Sequence, residues 1–144
     1  MQIKDIIKRK GGHVDTAPLD MTLSEAAQML CEHQVALLVI CNKRGDIVGV
    51  LSERDVLRGL AEEQGYAPAT PIKDYVTPKF YACTLDADIA DVLKIMNDGG
   101  FRHVPVIELK RLFGIVSILD LLRFLVENQS IKGREEMWQK LNWM

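Results

Sequence analysis

The sequence lacks the features that mark a membrane-spanning, exported or nucleic-acid-binding protein. No apolar run approaches the roughly 20 residues that a membrane-spanning helix needs. The opening segment, MQIKDIIKRKGG, has no apolar core of the kind that a secretion signal carries. The net charge is only −2, which generates no strong field to attract a polyanion. We therefore expect a cytoplasmic protein that binds neither nucleic acid nor a membrane.

Cysteine and histidine are scarce, which bears on redox chemistry and on metal binding. The cysteines Cys31, Cys41 and Cys83 are scattered and odd in number, which favours reduced thiols over a disulfide framework. The histidines show no ligand spacing, whereas zinc requires three or four converging groups. The chain also has no Gly-rich phosphate loop, no H-E-x-x-H pair and no serine with a recognisable base partner. We predict neither a metal site nor a catalytic site.

What the sequence does contain is an internal repeat. The stretch GVLSERDVLRGL at residues 49–60 returns as GIVSILDLLRFL at residues 114–125, with Gly, Ser, Asp and Leu-Arg at the same spacing. The stretch IKDII at residues 3–7 returns as IKDYV at residues 72–76. The sequence up to Val126 therefore reads as two copies of one unit.

Each copy predicts the element order β-α-β-β-α. A short extended piece precedes a helix, two apolar runs separated by a turn indicate a hairpin, and a second helix starts at the Ser of the repeated stretch. Because one copy of about 60 residues buries little apolar surface alone, we expect an α/β (α+β) module in which the two copies pack with pseudo-two-fold symmetry around one core. The apolar stripes of the first helices are Leu23, Ala26, Ala27 and Leu30, and Ile89, Val92, Leu93 and Met96.

Turn signals and composition divide the chain into four segments. We predict a first repeat over residues 1–65, a linker and lead-in over 66–76, a second repeat over 77–128 and a C-terminal amphipathic helix over 129–144. Gly65 and the following APATP stretch mark the end of the first copy. The tail helix either covers its own subunit or contacts a neighbour. Its apolar face consists of Met137, Trp138, Leu141 and Met144.

The repeated Ser-x-x-Asp pattern has two interpretations. In a capping box, the Ser and Asp satisfy free N–H groups at the start of the helix, and no ligand is involved. Alternatively, the helix N-terminus attracts phosphate or a sugar edge, while the Asp accepts hydrogen bonds from a ribose diol. The Gly three residues before the Ser then lets the ligand approach the strand backbone. Both interpretations are open at this point.

The ordered set of motifs resembles a tandem pair of CBS domains, the nucleotide-sensing arrangement called a Bateman module. The resemblance is carried by GGFRHVPVI, FGIVSILDLL, IVGVLSERDVLRGL and IKDYVTP. It extends over most of the chain, so we expect a stand-alone CBS pair. It implies a regulatory sensor without catalysis that binds AMP, ADP, ATP, NAD(H) or S-adenosylmethionine in clefts between the copies, with AMP, ATP or NAD favoured.

The resemblance also implies the residues that bind the nucleotide. The ribose is expected on Ser117 and Asp120 in one cleft and on Ser52 and Asp55 in the other. The adenine slot of the Asp120 cleft is expected from Thr77, Phe80, Val104 and Pro105. The phosphate is expected to meet Arg54, Arg102 and His103.

The first copy departs from the family pattern. Leu38 stands where proline is typical, and Val35-Ala36 stands where the second copy has Arg102-His103. Lys10 or His13 is the remaining source of charge for the slot of the first copy. The adenine slot of the first copy is therefore less well defined than that of the second.

Two further expectations concern partners. We predict a homodimer, because CBS pairs associate through their helices and the second helices carry apolar faces, and we expect an unidentified protein target. The alternative function is a structural adaptor or dimerisation module without a small-molecule ligand. The apolar faces consist of Val56, Leu57 and Leu60, and of Leu121, Leu122 and Leu125.

Overall fold

The computed structural model describes residues 1–62, 69–128 and 130–141. The helices are α1 (Ile3–Lys10), α2 (Leu23–His33), α3 (Glu53–Glu62), α4 (Ile89–Gly99), α5 (Ile118–Asn128) and α6 (Ile131–Leu141). The strands are β1 (Thr16–Pro18), β2 (Leu37–Cys41), β3 (Ile47–Ser52), β4 (His103–Glu108) and β5 (Arg111–Ser117), and a 3-10 turn covers Ile72–Asp74. The predicted α/β class is confirmed.

The chain divides into two compact units that do not follow the order of the sequence repeats. The middle unit is Val14–Phe80, and the terminal unit joins Met1–His13 to Tyr81–Met144. Helix α1 lies within the first repeat predicted from the sequence, over residues 1–65, but it belongs to the terminal unit. The boundaries of the repeats and of the linker, predicted at residues 65, 76 and 128, stay a prediction.

The middle unit is built on a three-stranded sheet in the order β1-β2-β3. Strand β1 is parallel to β2, and β2 is antiparallel to β3, with Leu37 opposite Ser52. Helix α2 begins after Thr22, whose side chain accepts a hydrogen bond from the backbone of Glu25. The core of this unit comprises Ala17, Leu23, Ala26, Leu30, Leu38, Ile40, Leu51, Val56, Ile72 and Tyr75.

The terminal unit is built on the antiparallel pair β4-β5. Its first extended piece, predicted near residues 80–84, forms a single parallel bridge from Cys83 to Val106 rather than a strand. The hairpin turn is Leu109-Lys110, and both residues have positive φ angles. The core comprises Ile3, Ile6, Cys83, Ile89, Val92, Leu93, Met96, Val104, Val106, Val116, Leu121 and Leu125.

Most of the buried apolar residues fall into two clusters, one in each unit. Each cluster contains residues from an IKD segment: Ile3 in the terminal unit and Ile72 in the middle unit, both with no exposed surface. A unit of this size gains a core of its own because the IKD segment adds apolar surface to it. Each IKD segment therefore contributes a buried isoleucine to the core cluster of its unit.

Some sequence predictions concern helix ends. The sequence offers Asp20 or Thr22, and Asp86 or Asp88, as caps of the first helices. The structure has Thr22 and Asp88 in these positions. Gly65 and Met144 lie outside the described residues, as do the side chains of Met137 and Leu141. Trp138, also in the predicted apolar face of the tail, is 66% exposed.

The two IKD segments make equivalent backbone contacts, each with the helix of its own unit. The Ile3 N–H donates to the Ala87 carbonyl oxygen at 3.0 Å, two residues before α4. The Ile72 N–H donates to the Met21 carbonyl oxygen at 2.9 Å, two residues before α2. Because these contacts are matched, substitutions of the two isoleucines can be compared directly.

We expect Ile3→Ala and Ile72→Ala to weaken different units. Removing a fully buried isoleucine side chain costs about 2–5 kcal/mol of unfolding free energy. Hydrogen exchange followed by mass spectrometry should show Ile3→Ala reducing protection chiefly in α4, β4 and β5. Ile72→Ala should act chiefly on α2, β2 and β3. A loss of protection that followed sequence order, with Ile3→Ala acting first on β2 and β3, would contradict the unit assignment.

Candidate functional site

The junction between β5 and α5 carries the repeated Ser and Asp of the terminal unit. Strand β5 ends at Ser117, and α5 begins at the next residue. The Ser117 backbone N–H donates to Asp120 Oδ2 at 2.8 Å, and the Asp120 backbone N–H donates to Ser117 Oγ at 3.1 Å. These reciprocal bonds form a capping box. The capping box is thereby shown for this junction, and a ligand contact of the same pair stays a prediction.

The junction between β3 and α3 has the same arrangement. The Ser52 backbone N–H and hydroxyl both donate to Asp55 Oδ2, at 2.8 and 3.0 Å. The Asp55 backbone N–H donates to Ser52 Oγ at 3.2 Å. Both copies therefore hold a carboxylate in a fixed orientation at a helix N-terminus.

Capping engages only one oxygen of the Asp120 carboxylate. The Ser117 N–H and the Lys10 ammonium both contact Oδ2, and no described residue donates a hydrogen bond to Oδ1. In the middle unit, Oδ1 of Asp55 lies 3.5 Å from Nη2 of Arg58. A carboxylate that caps its helix can still accept hydrogen bonds from a ligand, so the two interpretations of the pattern are compatible.

Lys10 is a contact of Asp120 that sequence reasoning missed. Its Nζ donates to Asp120 Oδ2 at 2.6 Å and to the Ile115 carbonyl oxygen at 2.8 Å. The sequence suggested Lys10 as a charge for the slot of the first copy, but the structure brings it to the second. The reason is that α1 belongs to the terminal unit, and no local pattern in the sequence indicates this.

Opposing effects act on the ionisation of Asp120. Partial burial raises the pKa of its carboxyl, but hydrogen bonds from Lys10 and Ser117 and the charge of Lys10 outweigh burial. The net result is a pKa below the ordinary value of 3.8. Asp120 is therefore ionised at neutral pH and acts as a hydrogen-bond acceptor only.

The glycines of the repeated pattern lie where other backbone and side-chain atoms of the same chain approach closely. A Cβ atom added at Gly49 would lie 2.5 Å from the Thr77 carbonyl oxygen. One added at Gly114 would lie 2.7 Å from Cδ1 of Ile7. The sequence interpretation gave this space to a ligand, whereas in each unit the segment around IKD occupies it. The close approach explains the glycines without a bound molecule.

The β4-β5 register gathers several of the predicted binding residues beside Asp120. His103 lies opposite Ser117, and Pro105 lies opposite Ile115, whose carbonyl oxygen binds Lys10. His103 is half-buried and Pro105 is buried. Val104 points into the core cluster of the terminal unit, so its side chain contributes packing there. Of these residues, His103 lies nearest to the junction in register, and Pro105 follows it by two positions along β4.

Arg102 contributes to the same junction through its backbone. Its carbonyl oxygen accepts a hydrogen bond of 2.8 Å from the N–H of Ile118, the first residue of α5, and its side chain is exposed. In the middle unit, Ala36 makes the equivalent bond, of 3.1 Å, to Glu53. The exposed Arg102 guanidinium is thus attached next to the positive end of α5.

Besides Ser52 and Asp55, three more predicted site residues belong to the middle unit. The sequence grouped Thr77 and Phe80 with Asp120, but both lie in the unit of Asp55. The Thr77 N–H donates to the Val50 carbonyl oxygen at 2.9 Å, which attaches it to β3 two residues before Ser52. Arg54 is exposed in the first turn of α3. Whether Thr77, Phe80 and Arg54 contact a ligand stays a prediction.

Metal binding and membrane insertion are two further properties of the described residues. No group of three or more His, Cys, Asp and Glu side chains within residues 1–62, 69–128 and 130–141 is arranged to hold a metal ion. Among the helices of those same ranges, none has the length and apolar character required to cross a membrane.

Comparison with known proteins identifies the family of both halves. The profile of the family described as CBS domain matches residues 3–62 and 72–127. A relative from Acidianus ambivalens, described as an uncharacterized 17.7 kDa protein in the bps2 3′ region, is 35% identical over 109 residues. The aligned part is 75% of this chain and 65% of that protein, so the chain spans slightly less than two thirds of this relative.

Solved structures with the same fold include two CBS proteins. The CBS-domain containing protein ATU1752 from Agrobacterium tumefaciens has a TM-score of 0.81 and 32% identity, over 85% of this chain and 91% of that one. The CBS domain pair of protein MJ0100 has a TM-score of 0.77 and 25% identity, over 90% of this chain and 98% of that one. That domain pair was solved in complex with 5′-methylthioadenosine and S-adenosylmethionine.

We expect acidification to remove a stabilising contribution of Asp120. Because folding lowers its pKa below 3.8, this contribution is complete above that pH and is lost as the pH falls through the lower folded-state pKa. The difference in unfolding free energy between wild type and Asp120→Asn should be about 0.5–1 kcal/mol near neutral pH, since the Lys10 partner is partly exposed. Denaturant titrations at a series of pH values would measure it.

The control is Lys10→Met, which keeps the capping box but removes the ion pair. In that background, the Asp120→Asn difference should be smaller and should decline nearer to pH 3.8, the ordinary value of the carboxyl. A wild-type difference that stayed constant through the acid range would show that the charge of Asp120 does not contribute to stability.

Proposed function

The chain belongs to the CBS-domain family, and on that premise we propose that it is a non-catalytic regulatory module that binds an adenosine-containing nucleotide. The observation that carries the proposal is the ionised Asp120 carboxylate, held by Ser117 at the N-terminus of α5 with Oδ1 unused by the described residues. Such a carboxylate suits the paired hydroxyls of a ribose.

The surroundings of Asp120 supply the other chemistry that a nucleotide needs. The positive end of the α5 dipole favours a negatively charged group. Arg102 and His103, next to this helix terminus, are the proposed phosphate contacts. Pro105 on β4, which lies opposite Ile115 on β5, is the proposed apolar contact for the base. We propose that Val104 acts indirectly, by fixing β4 against the core.

The middle unit offers a second and differently built position. Ser52 and Asp55 repeat the geometry of Ser117 and Asp120. Since Thr77 is attached to β3 close to Ser52, we propose that Thr77 and Phe80 serve the Asp55 position rather than that of Asp120. The exposed Arg54 is the proposed phosphate contact there.

The class of ligand is supported by one structural relative. The MJ0100 domain pair binds 5′-methylthioadenosine and S-adenosylmethionine, which share an adenosine group. We therefore propose adenosine recognition as the common requirement. AMP, ADP, ATP, NAD(H) and S-adenosylmethionine are the candidates, with AMP, ATP and NAD as the first choices.

We further propose that the protein is cytoplasmic, acts on an unidentified protein target and forms a homodimer. The dimer is supported by the exposed apolar side chains of α3 and α5, because such patches mark association surfaces. Of the apolar faces predicted from sequence, Val56, Leu121 and Leu125 are buried within their own units. The exposed residues are Leu57 and Leu60 on α3 and Leu119, Leu122 and Val126 on α5.

The second candidate function is a structural adaptor whose role is dimerisation alone. The observation that favours it is the same set of exposed leucines, together with capping boxes that are complete without a ligand. Binding measurements distinguish the two candidates.

We expect Asp120→Ala to weaken nucleotide binding more than Asp55→Ala. Loss of a charged hydrogen-bond acceptor costs about 1.5–3 kcal/mol, or about 10- to 150-fold in dissociation constant. The larger effect is expected at Asp120 because Pro105, Arg102 and His103 adjoin it. Isothermal titration calorimetry with AMP, ATP, NAD and S-adenosylmethionine would measure the effect. A ligand present at 100 times its dissociation constant should also raise the unfolding free energy of the wild-type protein by about 2.7 kcal/mol.

The matched control is Asp88→Ala. Asp88 caps α4 in the same unit by accepting a 2.8 Å hydrogen bond from the Ala90 N–H. Its loss should lower stability by about 0.5–2 kcal/mol and leave affinity unchanged. If no adenosine-containing ligand bound or stabilised the wild-type protein, the adaptor function would be favoured instead.

We expect the 16.3 kDa chain to sediment as a dimer. Leu57→Glu and Leu122→Glu should each shift the protein towards monomer, because a charge would have to be desolvated in the interface. Leu109→Glu, at the 95% exposed tip of the β4-β5 hairpin, is the control and should not change the mass. Sedimentation of the wild type as a monomer at tens of micromolar would remove the dimer from the proposal.

A further inference from the structure

Lys10 occupies a position that competes with the proposed ligand. Its ammonium bridges Asp120 Oδ2 and the Ile115 carbonyl oxygen, at 2.6 and 2.8 Å. Both acceptors belong to the junction at which we propose that the ribose binds. The contact reaches the junction from α1, about a hundred residues away in the sequence.

We propose that Lys10 is a built-in competitor for the carboxylate of Asp120, so that a ribose diol must displace its ammonium in order to bind. This inference rests on the proposed function, because it assumes that Asp120 is the diol acceptor. It adds a determinant of ligand choice that belongs to this chain's own N-terminal helix.

The competition follows from counting acceptor positions. A carboxylate oxygen offers about two lone-pair sites. On Oδ2, one is used by the Ser117 N–H and the other by Lys10. A diol that gives one hydroxyl to each carboxylate oxygen needs a free site on both. Because Ser117 is held by its own backbone in β5, Lys10 is the group that has to leave.

The structure allows Lys10 to leave without unfolding α1. The helix is anchored by Ile3 and Ile6, which are buried, whereas the Lys10 side chain lies at the other end and is 41% exposed. Gly11 follows with φ +89° and ends the helix. Rotation of the flexible lysine side chain is therefore sufficient to free Oδ2.

The displaced ammonium gives the site a preference among ligands. A ligand with a phosphate group offers the displaced Lys10 ammonium a new anionic partner close to Asp120. An uncharged nucleoside offers none, so its binding free energy is reduced by the full energy of the broken ion pair. Lys10 should therefore favour phosphorylated adenosine ligands over adenosine itself.

The middle unit provides a natural comparison. Lys79 follows Ile72 by the same seven positions that separate Lys10 from Ile3. Lys79 is exposed, and none of its contacts with the described residues is an ion pair with Asp55. Of the two Ser-Asp junctions, the one at Asp120 thus has the proposed competitor. Lys79→Met is a control that removes an equivalent positive charge without changing a contact of Asp55 or Asp120.

The test is calorimetric titration of the full chain with adenosine and with AMP, using wild type, Lys10→Met, Lys10→Arg and Lys79→Met. Lys10→Met should bind adenosine about 2- to 5-fold more tightly, because an ion pair of this exposure contributes about 0.5–1 kcal/mol and the competing state is removed. Its preference for AMP over adenosine should fall, because the contact between Lys10 and the phosphate is lost. Lys10→Arg should resemble wild type, and Lys79→Met should leave adenosine binding at the Asp120 position unchanged.

Ionic strength gives a readout that a purely structural lysine would not change. Adenosine is uncharged, so its affinity for wild type should rise with salt as the ion pair between Lys10 and Asp120 is screened. The salt dependence should be absent in Lys10→Met. Melting curves of each variant would establish that it is folded.

Three outcomes separate this inference from the proposed function. If Asp120→Ala weakens AMP binding but Lys10→Met leaves adenosine affinity unchanged or lower, the competitor role is overturned and the proposed function stands. If neither wild type nor Lys10→Met binds AMP or adenosine, the proposed function fails and the inference falls with it. Adenosine binding that is measurable only in Lys10→Met would support both.

Discussion

The burial of Ile3 and Ile6 in the terminal unit is the contact on which the rest of that unit depends. It adds α1 to a core that β4, β5 and two helices alone would leave incomplete. The same attachment carries the end of α1 along β5, where Gly114 leaves room for Ile7 and the Lys10 ammonium reaches Asp120. The position of one charged group at the candidate site is therefore a consequence of hydrophobic packing elsewhere in the unit.

The Ser-Asp pair shows how a structural and a functional role can share the same atoms. Capping holds the carboxylate in one orientation by bonds to backbone N–H groups, which reduces the cost of ordering it when a ligand arrives. At Asp120 this leaves Oδ1 for a ligand, whereas Oδ2 accepts from both the Ser117 N–H and the Lys10 ammonium. A capping box does not argue against binding; it makes the acceptor rigid before binding occurs.

The two units use one pattern in electrostatically different ways. Asp120 is paired with a lysine from another helix, whereas Asp55 lies near Arg58 of its own helix, at 3.5 Å. Arg58 also donates to the Tyr75 carbonyl oxygen and lies over the Tyr75 ring, so packing restrains it. Lys10 has a flexible stem and no such restraint from a ring, so it can exchange partners more readily. Repetition of a sequence motif thus preserved the backbone geometry but not the charge environment.

The sequence by itself determined the two repeats, the α/β class, the helix stripes and the Ser-Asp pattern at the start of the second helices, because all of these depend on periodicity and on local hydrogen bonds. The family resemblance grouped Arg102, His103 and Pro105 with Asp120. Only the tertiary structure decided which unit each IKD segment joins, and so brought Lys10 to Asp120 and Thr77 to β3. IKDII and IKDYV are nearly the same sequence, and the choice between two similar apolar cores is made by packing, which no local pattern encodes.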